Sequence, residues 1–101
     1  MVSKSEIIQI VYSAIDEVNL ELPADRKMEK SPSEVLLGDE AKLDSLSFIN
    51  FVMAVEKGLR EKCGVTITLV TQDTMASGQG PFQSVDKLAD YILSVGAKKN
   101  D

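Results

Sequence analysis

A chain of 101 residues with 44% hydrophobic and 27% charged side chains has the composition of one small folded domain rather than of a disordered or fibrous protein. Its formal charge of −5 disfavours phosphate backbones, whose binding takes clustered Lys and Arg, and favours basic protein surfaces as partners. Histidine is absent and Cys63 is the one cysteine, which excludes a disulfide framework, a histidine-bearing triad and a Cys/His zinc site within one chain.

Ser3, with Glu6 three positions on, makes a capping box, and Ile7, Val11, Ala14, Ile15 and Val18 recur at helical spacing, which predicts a first helix over Lys4–Asn19. Residues 20–43 carry Pro23, Pro32, Gly38 and many charges and read as a long connection, of a length that in small domains tends to be functional. Within it, Ser31-Pro32-Ser33-Glu34 offers a cap, a proline at the first helical position and a glutamate at the third, so a short helix is expected at about 32–37, stopped by Gly38. A second long helix starts at Asp44 or Ser45 and runs to Lys62, with Arg60 and Lys62 at its negative end and Gly64 as its left-handed cap. Cys63, between that helix and Gly64, reads as a buried or capping-turn residue.

Val65-Thr66-Ile67-Thr68-Leu69-Val70 alternates and is β-branched, as a strand would be. Nothing else in the chain offers it a strand partner, so it is read as an extended connector leading to a short helix at about 72–76. Gly78, Gly80 and Pro81 break the chain. Ser84 then caps a last helix with Val85, Leu88, Ala89, Ile92 and Val95 as its buried stripe, Gly96 as its end and 96–101 as a frayed tail. The sum is an all-α single domain over 1–101: a small antiparallel bundle of three main helices, a short helix before the last, and a long first loop. With no apolar run of about 18 residues and an N-terminus that leads straight into an amphipathic pattern, the expected location is cytoplasmic.

The second long helix carries the informative feature. At about 100° per residue it has two apolar stripes, Phe48, Phe51, Val52, Val55 and Leu59 on one side and Leu46, Ile49 and Met53 nearly opposite. One stripe suffices to dock a helix on a core, so the second packs under the long loop or faces a partner. It begins next to Asp44 and Ser45 at a helix N-terminus, where free N–H groups and the positive dipole end suit an anion. As a bare triplet, Asp44-Ser45-Leu46 reads as an ordinary N-cap followed by the first buried residue of the helix; only the rest of the pattern gives it more weight.

Asp44-Ser45-Leu46 followed by Ile49, Phe51, Val52-Met53-Ala54-Val55-Glu56 and, after Leu59, Gly64-Val65-Thr66-Ile67 resembles the acyl carrier protein family. The resemblance extends to the length, the acidic balance, the missing histidine, the long first loop and a last helix reading Ser84-Val85 to Asp90-Tyr91-Ile92. It implies that Ser45 receives a 4′-phosphopantetheine arm from coenzyme A through a phosphopantetheinyl transferase, with Asp44 helping to load it, and that the arm's thiol then carries acyl groups as thioesters. It further implies that Leu46, Ile49, Met53 and Glu56 face partner enzymes (a ligase, ketosynthase or acyltransferase), while Phe48, Phe51, Val55 and Leu59 face the core. The resemblance thus describes a monomeric carrier without catalytic residues or a metal of its own.

The chain departs from that pattern at Lys42 and Leu43, where a glycine is common two residues before the Asp, and Lys42 would stand near the arm's phosphate. Family members are usually acidic along this helix; here the matching places hold Ser47, Asn50 and Lys57, which points to a dedicated carrier that general fatty-acid enzymes recognise poorly. Phe48 and Gly78-Gln79-Gly80-Pro81 are further departures that border the acyl pocket the resemblance implies; they either tune chain length or, the favoured reading, repack the core. Two other functions stay open: an aminoacyl or peptidyl carrier using the same arm, and a non-catalytic adaptor gripping a partner with Leu46, Ile49 and Met53. An enzyme is least expected, since Asp39, Glu40 and Asp44 would have to act alone.

Overall fold

The computed structural model describes residues 3–37, 41–71 and 80–99, with 96–99 described by backbone alone. Among the described residues there are three α-helices, α1 (Lys4–Asn19), α2 (Ser45–Cys63) and α3 (Val85–Lys99), with 3₁₀ turns at Ala24–Arg26 and Gly80–Phe82, and no strand. None of the helices described is long and apolar enough to cross a membrane.

Local chemistry sets the helix ends. The Ser3 hydroxyl accepts from the Glu6 N–H while the Glu6 carboxylate accepts from the Ser3 N–H, closing the capping box of α1. Asp44 is the N-cap of α2, its carboxylate accepting from the Ser47 N–H at 2.8 Å, and Gly64 ends α2 at φ 67°, the left-handed conformation glycine adopts without a Cβ penalty. The Ser84 hydroxyl accepts from the Lys87 N–H at 3.2 Å at the head of α3. Gly96 does not stop α3, which continues to Lys99. A glycine inside a helix costs about 1 kcal/mol, and the Ala-Lys-Lys that follows consists of strong helix formers.

The core is built from Ile7, Ile10, Val11, Ala14, Ile15 and Val18 of α1, the Phe48–Leu59 stripe of α2, and Val85, Leu88, Ala89 and Ile92 of α3; Val95 is half-buried against it. Glu6, at the start of α1, lies within electrostatic reach of Cys63 at the end of α2. Gly58 lets these two helices approach closely: a Cβ there would stand 2.7 Å from Cγ2 of Ile10. Lys4 joins the first turn of α1 to α3 through ion pairs with Asp86 at 2.7 Å and Asp90 at 2.9 Å.

The long loop is held by specific bonds. The Asn19 side-chain amide donates to the Met28 carbonyl and accepts from the Met28 N–H, and the Lys27 ammonium donates to the Asn19 carbonyl. Met28, Leu36 and Leu43 are buried, so the loop contributes three side chains to the core. The expected helix at 32–37 does not form. Residues 31–34 make a single turn closed by the Glu34 N–H on the Ser31 carbonyl, because the Pro32 and Glu34 carbonyls accept instead from the Asp86 and Val85 N–H groups of α3. The loop thus satisfies the otherwise orphaned donors of that helix. Glu34 is the hub: its carboxylate accepts from the Glu29 N–H at 2.8 Å and pairs with the Lys42 ammonium at 3.1 Å.

Past Gly64 the chain is extended, with Val65, Ile67 and Leu69 buried and Thr66 and Thr68 exposed, as read from their alternation. The expected short helix at 72–76 lies outside the described residues. Phe82, fully buried, meets Phe48 edge to face, their ring centroids 5.0 Å apart at 88°, so Phe48 packs as a core residue.

Candidate functional site

The first turns of α2 combine an exposed serine, its acidic cap and an exposed apolar stripe. Ser45, the first residue of the helix, is exposed, and among the described residues its N–H and that of Leu46 find no acceptor. The carboxylate of Asp44 takes the Ser47 N–H instead, leaving the donors before it pointing outward at the positive end of the helix. The Ser47 N–H first and its hydroxyl second hold the Asp44 carboxyl below the ordinary carboxylate range, and the charge of Arg26 acts in the same direction.

Arg26 is a part of this site that the sequence did not single out. Its Nε and Nη2 donate to the Lys42 carbonyl at 3.3 and 3.2 Å, so the 3₁₀ turn at Ala24–Arg26 brings a guanidinium to the residues just before Asp44. An arginine in a mid-loop turn has no sequence signal for this position; only the folding back of the loop creates it. Lys42, expected near Ser45 as a counter-charge, has its ammonium engaged by Glu34.

Which of the two stripes of α2 is left open is decided by burial. Phe48, Phe51, Val52, Val55 and Leu59 are buried, whereas Leu46 is 70%, Ile49 42% and Met53 60% exposed. The loop does not cover them: it turns Met28, Leu36 and Leu43 into the core instead. Glu56, the fourth residue expected on this face, is half-buried, and its carboxylate accepts from the Leu69 N–H at 2.8 Å, anchoring the extended connector. The structure therefore brings Asp44, Ser45, Leu46, Ile49 and Met53 together on one exposed strip and engages Glu56 within the fold.

Cys63 is half-buried at the end of α2, and loss of water, followed by the nearby charge of Glu6, pushes its thiol above the ordinary range. A thiol shifted that way is a poor nucleophile. An exposed serine hydroxyl at a helix N-terminus, with no base hydrogen-bonded to it among the described residues, suits an anchor for an anionic group better than an attacking group.

Compared with known proteins, the chain matches no family model, no curated protein and no solved structure.

Proposed function

We propose that the chain is an acyl carrier protein, which holds acyl intermediates as thioesters on a 4′-phosphopantetheine arm joined to Ser45 through a phosphodiester. The observation that carries this reading is the juxtaposition at the head of α2 of an exposed Ser45, capped by Asp44, with the exposed apolar side chains Leu46, Ile49 and Met53. In support, the phosphodiester would lie at the free N–H groups of Ser45 and Leu46, and the Arg26 guanidinium, held on the Lys42 carbonyl, adds positive charge near Asp44. When bound, the arm supplies a mobile thiol, which the chain otherwise lacks because its own thiol is half-buried with a raised pKa. Asp44 has the role of presenting Ser45 during loading.

On this reading the chain is not an enzyme. Its partners are a phosphopantetheinyl transferase and acyl-loading and acyl-processing enzymes of fatty-acid, lipid or polyketide-type synthesis, met by a cytoplasmic monomer. The finer architecture, an antiparallel bundle with a short helix before α3, belongs to the same proposal. Its support is the nearness of Glu6 at the start of α1 to Cys63 at the end of α2, and the pairing of Lys4 with Asp86 and Asp90, which sets the starts of α1 and α3 side by side as an up-down-up course would.

The test is intact mass after incubation with coenzyme A and a broad-specificity phosphopantetheinyl transferase. Wild type gains one phosphopantetheinyl group and Ser45→Ala gains none; an unmodified wild type, or an adduct that persists in the variant, sinks the proposal. The exposed stripe by itself also fits a non-catalytic adaptor, which predicts no adduct. An aminoacyl or peptidyl carrier would gain the same adduct and then accept an amino acid from an adenylating enzyme rather than an acyl group.

A further inference from the structure

The exposed strip of α2 does not end at Met53. At about 100° per residue, Lys57 and Arg60 fall on the same side as Leu46, Ile49 and Met53, and both are exposed. Among the described residues neither forms an ion pair, nor do Lys62 and Lys87, whereas Lys4, Lys30 and Lys42 do. Two carboxylates border the strip. Glu56 is tied to the Leu69 N–H, and Glu61 stands with Glu17 beside Lys57 along the groove between α1 and α2, neither within ion-pair distance of it. The strip is therefore apolar over its first turns and cationic over its last two, on a chain whose net charge is −5.

We infer that this strip docks a protein surface that has an apolar pocket for Leu46, Ile49 and Met53 and carboxylates about 10 Å further along, facing Lys57 and Arg60. Charge complementarity selects this partner: two cations without internal partners at one end of an exposed apolar row attract acidic groups and repel a basic rim. An anionic bilayer is the poorer occupant, since the net charge opposes it and the apolar row covers only roughly 60° of the helix, too narrow for an interfacial helix. The inference also reverses, for this face, the expectation from net charge that partners are basic. It rests on the carrier reading for the nature of the partner, an enzyme that must meet Ser45, and it specifies that enzyme's surface.

The test is an amide NMR titration of the apo chain, which needs no arm. Two helical peptides serve as probes, each with a Leu/Phe face, one rimmed with Glu and the other with Lys at the same positions; vesicles of phosphatidylglycerol are the third. The Glu peptide is expected to bind about fivefold tighter than the Lys peptide and to shift amides between 46 and 60, with the gap shrinking as salt rises. Lys57→Glu with Arg60→Glu reverses the preference, and Leu46→Ser with Met53→Ser abolishes binding of both peptides. Equal or opposite preference in the wild type, shifts confined to other residues, or binding to vesicles without binding to the Glu peptide overturns the inference. Because the titration is independent of Ser45, its failure beside a positive adduct removes only the docking surface, whereas a missing adduct removes the carrier reading.

Discussion

Gly58→Ala tests how α2, the helix that presents Ser45, is seated on α1. The added Cβ would stand 2.7 Å from Cγ2 of Ile10, roughly 0.7 Å inside an ordinary carbon contact. That methyl sits on a β-branched side chain only 4% exposed, so it cannot swing aside as a long flexible tail could. Overpacking of this kind costs about 1–3 kcal/mol, against which alanine gains about 1 kcal/mol over glycine in a helix interior. The expected net loss is about 1 kcal/mol, which for a domain of this size lowers Tm by about 4–8 °C. Ile10→Leu moves the branch away from Cβ at a cost below about 1.5 kcal/mol. In that background Gly58→Ala becomes neutral or stabilising by up to about 1 kcal/mol. Urea unfolding of the four proteins, read as midpoints at constant slope, gives the coupling. A Gly58→Ala that stabilises wild type as much as it stabilises Ile10→Leu would show that the helices do not meet at this point.

Two further outcomes follow from the cap of α2 and from its end. Hydrogen bonds from Ser47 lower the pKa of Asp44 in the folded state, so the stabilisation it gives is fully present above the unfolded carboxylate pKa of about 4 and is lost as pH falls through the lower folded value. Asp44→Asn, a comparable cap without a charge, should flatten that acid limb in urea unfolding between about pH 2 and 6 while changing neutral stability little; an unchanged limb would separate the cap from the charge. Desolvation raises the Cys63 thiol pKa, so at pH 8 iodoacetamide should modify it several-fold more slowly than a free cysteine. The arm of a loaded chain would react at the rate of an ordinary thiol, giving two phases where the apo chain gives one slow phase. A fast reaction in the apo chain would show that Cys63 is not shielded.

Much of this molecule is written locally. Capping boxes, glycine ends and 3.6-residue periodicity act between residues a few positions apart, so the starts of α1, α2 and α3 and the end of α2 can be read without knowing what they pack against. The buried-exposed alternation of residues 65–69 was legible for the same reason. Local signals misled where a distant group competed for the same atoms. The proline turn at 32–37 carries the marks of a helix start, yet its carbonyls satisfy the first N–H groups of α3, an acceptor role that no short-range pattern encodes. Gly96 carries the mark of a helix end but lies inside α3.

The candidate site divides along the same line. From the sequence alone, Ser45 stands at a helix start beside two apolar stripes, either of which could have been buried. Tertiary structure decided between them: the loop placed Met28, Leu36 and Leu43 in the core rather than over Leu46, Ile49 and Met53, which stay exposed. It also drew Glu56 away to the Leu69 N–H and brought Arg26 to the carbonyl of Lys42. Both are long-range hydrogen bonds whose partners are fixed only when the chain is closed, and the surface beside Ser45 depends on them as much as on the motif itself.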